Sequence, residues 1–87
     1  MGSYNLFIKP TAEKELRKIP RPFLEKIFAK ITDLSGTPRP FGAQLMKGEE
    51  RFYRLRQGDY RIVYDIDDDA RIVTVMKVGH RREVYDS

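Results

Sequence analysis

The chain has 87 residues, 17 basic against 13 acidic side chains, a net charge of +4, one histidine and no cysteine. That length suits one small core with little left for a linker, so residues 1–87 are expected to form a single domain, and a hydrophobic content of 40% is enough to fold it. Disulfides and thiolate zinc sites are excluded, one histidine builds no metal cage, and neither a run of ~18 apolar residues nor a signal-peptide pattern is present, so the expected location is the cytoplasm and no metal or other cofactor is expected.

Tyr4 to Lys9 alternates apolar and polar residues and predicts a first strand, ended by Pro10. Thr11 is then placed to cap a short helix in which Ala12, Leu16 and Ile19 keep helical spacing. Pro20 and Pro22 break that helix, and Pro22 suits the first turn of the next. Phe23, Ile27, Ile31 and Leu34, flanked by Leu24 and Phe28, form its apolar stripe, while Lys26, Lys30 and Asp33 take the wet face. Ser35, Gly36 and Pro38 end the helical hairpin.

Residues 37–50 read as an irregular connection held partly by Phe41 and Leu45. Three strands follow, Arg51 to Arg56, Tyr60 to Ile66 and Arg71 to Val78, with the four residues from Asp67 to Ala70 as a solvated turn. The tail GHRREVYDS fits either a helical turn or a short edge segment. The expected fold is α+β: a β-α-α-β-β-β antiparallel sheet carrying the helical hairpin on one face, then a short tail.

Charge is polarised along this layout. Basic residues crowd 47–61 and 77–82, and acids gather at Asp65, Asp67, Asp68 and Asp69, which favours a directional contact with a polyanion. The register of the first hairpin sharpens that reading. A two-residue turn at Gly58-Asp59 pairs Arg56 with Arg61 and Leu55 with Ile62, and puts Arg54, Arg56 and Arg61 on one face opposite Leu55, Ile62 and Tyr64. A three-residue turn would instead drive Arg61 under the helices, where an unpaired charge loses its hydration. Arg56 facing Arg61 is mildly unfavourable by itself, as expected where an anion sits between them. The bland alternative is an exposed sheet face solvated by arginines.

The segments YRLRQGDYRIVYDI and VTVMKVGHRREVY, in that order and spacing, closely resemble the RelE branch of the RelE/ParE toxin superfamily over nearly the whole chain. The resemblance implies a ribosome-dependent, metal-free endoribonuclease that cuts mRNA in the decoding site and leaves a 2′,3′-cyclic phosphate. It implies that Arg54 and Arg56 contact the RNA backbone, that Arg61 stabilises the phosphate transition state, and that Arg81 and Tyr85 complete the site, the tyrosine stacking on a base or joining in proton transfer. Arg82 and Lys77 are kept as further phosphate contacts. Lys47 lies near the expected rim, where a solvated loop lysine is the simpler reading. The resemblance also implies a cognate antitoxin that wraps the toxin, with operator DNA bound only through that partner. The apolar and basic edges of the helical hairpin are the expected docking surface.

One departure concerns proton transfer. The best-known relative carries lysines where Arg54 and Arg56 stand, and arginine effectively cannot lose its proton. Histidine is the side-chain type suited to exchange protons near neutrality, and His80, the one histidine of the sequence, is the candidate acid or base beside Arg81. Three other readings stay open: a gyrase-binding toxin of the ParE type, a non-catalytic regulatory relative, and a general RNA-binding module.

Overall fold

Pro10 decides how the chain leaves its first strand. The computed structural model describes residues 3–46 and 52–80. β1 (Asn5–Ile8) stops at Lys9, and α1 (Pro10–Arg17) begins on the proline, whose fixed φ suits a first helical turn. Lys9 is therefore the N-cap in place of the expected Thr11. Thr11 lies inside the helix, and its hydroxyl donates to the Met76 carbonyl at 3.4 Å.

α2 (Arg21–Asp33) starts between the two prolines and buries Ile27 and Ile31, with Leu34 just beyond its end. Phe23 and Phe28 stand at the margins of the stripe and stay about half exposed. The core joins these residues to Ala12 and Leu16 of α1 and to the inner face of the sheet, including Leu55, Ile62, Tyr64, Val73, Val75 and Val78. Tyr64 donates its part-buried hydroxyl to the Pro38 carbonyl at 2.8 Å, so the phenol of this core residue is satisfied.

The remaining strands are β2 (Gln44–Leu45), β3 (Phe52–Gln57), β4 (Tyr60–Asp67) and β5 (Ile72–His80), in the sheet order β1-β5-β4-β3-β2. Neighbours from β2 to β5 are antiparallel, but β1 runs parallel to β5. The sheet is thus mixed where a fully antiparallel one was expected. The helical hairpin acts as a crossover: it carries the chain to the far edge, and the meander returns to β1 in the same direction.

β5 outruns β1, whose pairing ends at Ile8 with Val75. Helix α1 lies along the rest of that edge. Besides the Thr11 bond, the Glu15 carboxylate accepts the Val78 N–H at 2.8 Å. Backbone groups that a bare sheet edge would expose are taken up by the helix.

Residues 37–46 depart most from expectation. Neither Phe41 nor Leu45 anchors this connection; both point into solvent. Polar contacts hold it instead. Arg39 forms a two-pronged ion pair with Asp68, at 2.7 and 3.2 Å, and donates from Nε to the Tyr53 hydroxyl at 2.9 Å. The Tyr4 hydroxyl donates to the same aspartate at 2.6 Å. At the turn before β5, Asp67 accepts the Ala70 N–H, and Arg71, at φ 59°, closes the turn, so β5 starts one residue later than expected.

Candidate functional site

The β3–β4 hairpin has the expected two-residue turn. Gln57 pairs with Tyr60, Arg56 with Arg61, Leu55 with Ile62 and Arg54 with Val63. Gly58 supplies the positive φ, +60°, that the first position of a type II′ turn requires, while Asp59 keeps a negative one. Leu55, Ile62 and Tyr64 are buried beneath the helices, so Arg54, Arg56 and Arg61 occupy the outer face.

β5 extends this face. Val63 pairs with Lys77 and Arg61 with Gly79, which places exposed Lys77 one row from the arginines and sets no β5 side chain opposite Arg61. Arg56 is exposed and donates from Nε to the Gly58 carbonyl at 3.3 Å. Arg54 donates to the Gln44 amide oxygen, across the β2–β3 pairing that sets Gln44 beside it. Arg61 is half-buried, with Nη1 withdrawn from solvent. These three arginines, with Lys30 from α2 and Gln44, line an open cleft of about 350 Å³. Converging guanidinium groups on a rigid sheet make a site for a phosphate or another polyvalent anion.

His80 is placed elsewhere. It pairs with Tyr60, one rung from Arg61, so its ring belongs to the helix side of the sheet. It meets Tyr60 edge to face at 5.6 Å, and Tyr60 in turn lies 6.0 Å from Phe23. A separate cleft of about 380 Å³ opens there between α2 and the hairpin turn. The sequence sets His80 beside Arg81 as a candidate acid or base; the pleat turns it to the face opposite Arg54, Arg56 and Arg61. Arg81, Arg82, Tyr85 and Lys47 lie outside the described residues, as does the tail after His80.

Gln44 and Lys30 went unrecognised in the sequence. Gln44 sits in a two-residue strand too short for any alternation to show, and Lys30 reads there as one more lysine on a wet helix face. Away from the cleft, the Arg39 hydrogen bond, then that of Tyr4, pulls the Asp68 carboxyl from its ordinary 3.8 down to about 2. Burial raises the Tyr64 phenol above its ordinary value.

Fold and site together define a small α+β protein with an apolar core under its helices and a cationic outer sheet face. Residues 6–85 match the family described as the ParE toxin of the type II toxin–antitoxin system parDE, and the chain belongs to this toxin family. It is 33% identical to the toxin RelG of Mycobacterium tuberculosis over 84 residues, covering 94% of this chain and 95% of the relative. It is also 33% identical to the mRNA interferase toxin RelE of Escherichia coli over 87 residues, covering 95% and 90%. The crystal structure of isolated E. coli RelE superposes with a TM-score of 0.79 at 29% identity, covering 90% of this chain and 84% of that one. The toxin of the intact E. coli RelBE toxin–antitoxin complex does so at 0.76 and 31%, covering 90% and 96%.

Proposed function

We propose that this protein is the toxin of a type II toxin–antitoxin system and a ribosome-dependent endoribonuclease that cuts mRNA in the decoding site. The observation that carries this reading is the grouping of Arg54, Arg56 and Arg61 around one open cleft by the β3–β4 register. The mRNA interferase name of a relative that is similar over nearly its whole length supports the same activity.

In the proposed reaction the ribose 2′-OH attacks its own 3′ phosphorus and the P–O5′ bond breaks. The products are a 2′,3′-cyclic phosphate and a 5′-hydroxyl, and a net proton passes from the 2′ oxygen to the 5′ oxygen. Negative charge grows on the non-bridging oxygens. Arg61, rooted in the sheet and half-buried, is suited to stabilise it without reorganising. Arg54 and Arg56 act as fixed cations on the RNA backbone, with Lys77, Lys47 and Arg82 as outer phosphate contacts. Because arginine does not titrate, the proton is assigned to another group. Tyr85 is the proposed carrier, and Arg81 completes the charge stabilisation. The cytoplasm, where ribosomes work, is the proposed location, and a cognate antitoxin is the proposed partner, as RelB is for RelE in the solved complex.

Primer extension on mRNA bound to translating ribosomes tests this, with Arg61→Ala and Arg81→Ala in parallel. Discrete cuts in the decoding site that both variants lose are the expected result. Intact mRNA in the presence of folded protein overturns it. The parDE description of the family gives the gyrase reading its place, and supercoiling that stays unaffected by the protein disposes of that alternative.

A further inference from the structure

Phe41 is the most exposed large hydrophobic side chain of the described residues, its relative accessibility reaching 104%. It is not loose. The Ala43 N–H donates to the Pro40 carbonyl at 3.0 Å, closing a four-residue turn with Phe41 at its second position. Gly42 follows at φ +98°, the left-handed conformation that a type II turn demands of its third residue. On one side the turn is held by Arg39 through Asp68 and Tyr53; on the other it runs into β2. A ring is thus carried on a braced turn and fully presented to water.

Phe41 lines the same cleft as Arg54, Arg56, Arg61 and Lys30. Cations for a phosphate backbone beside an open aromatic face are the combination by which proteins hold unpaired nucleotides. We propose that Phe41 is a base-stacking platform, seating one unpaired nucleobase of the RNA next to the phosphate held by Arg54, Arg56 and Arg61. This rests on the reading of the arginine face as an RNA site and adds to it the group that engages a base. A protein partner on Phe41 is the competing occupant. The surrounding charge favours RNA: an apolar partner surface would have to desolvate four cations to reach the ring.

The sequence has no tryptophan, so Phe41→Trp makes the platform the sole indole in the protein. The first probe is a 2′-O-methyl RNA trinucleotide, which cannot be cut, alongside the same backbone lacking its middle base. Saturable quenching by the full trinucleotide that is lost with the abasic one is the expected result. Equal quenching by both, or none, overturns the proposal. On programmed ribosomes, Phe41→Ala is expected to raise the half-saturating toxin concentration roughly five- to hundredfold, with a smaller effect on the single-turnover rate. Cleavage by the parent that Phe41→Ala reproduces at the same half-saturation overturns it. So does a variant impaired only in its complex with the antitoxin. A parent that cuts no mRNA sinks the nuclease reading alone, and the fluorescence titration then decides the stacking role by itself.

Discussion

Arg56 and Arg61 face one another across the β3–β4 hairpin, two like charges on a single rung two residues from a tight turn. Directly opposed cations cost a little in an isolated sheet, a cost that an anion bound at the proposed site would offset. Arg61→Ala is therefore expected to leave the fold at parental stability or slightly above it. Its single-turnover cleavage on ribosomes should fall about 10²–10³-fold, as when a fixed donor to a developing oxyanion is removed. Arg61→Lys should recover only part of that, since an ammonium offers no planar fork. Melting curves and cleavage time courses measure the two effects separately.

His80 packs against Tyr60 on the helix side, away from the arginines. His80→Phe keeps a ring in that contact and removes both titratable nitrogens. Cleavage is expected to stay within a few-fold of the parent. A fall of about 10²–10⁴-fold, the usual contribution of a general acid or base, would return His80 to the chemistry.

Glu15 serves the edge of β5 by accepting the Val78 N–H at 2.8 Å. Glu15→Ala leaves that part-buried donor without its acceptor and should cost about 1–3 kcal/mol in urea unfolding. Glu15→Gln retains an acceptor oxygen and should lose less. Equal stability of the alanine variant and the parent would show that α1 does not guard this edge.

Asp68 binds its proton less readily when folded, at about 2 against an ordinary 3.8, chiefly through Arg39 and then Tyr4. Between those values the unfolded chain holds more protons than the folded one, so stability rises with pH. Its contribution is complete above the ordinary carboxylate value and disappears as pH falls through the folded one. Asp68→Asn should be less stable near neutrality and show a flatter acid profile across that window, followed by thermal melting at successive pH values. An unchanged acid limb would rule out this clamp as the source.

The helical hairpin is legible from the chain alone, because Ile27, Ile31 and Leu34 recur at the helical period between two prolines and a glycine stop. So is the register of the first hairpin. A strand has period two, so a one-residue slip would have buried Arg61, and that cost left one arrangement. Local pattern and local cost suffice for such features.

Which strands meet, and what lies beside the cleft, follow from packing across the whole fold. The parallel pairing of β1 with β5 joins residues more than sixty positions apart, and nothing in Asn5–Ile8 encodes its partner or direction. Phe41 reads as a core anchor because it is a phenylalanine; Arg39, Asp68 and Tyr53, brought together from three separate segments, hold the loop instead and leave the ring outside. His80 follows Gly79 in sequence yet faces away from Arg61, since neighbours along a strand point to opposite sides and only the pairing says which side is which. Chain order fixes what is adjacent along the backbone, whereas the choice among non-local contacts is made by the packing of the whole chain.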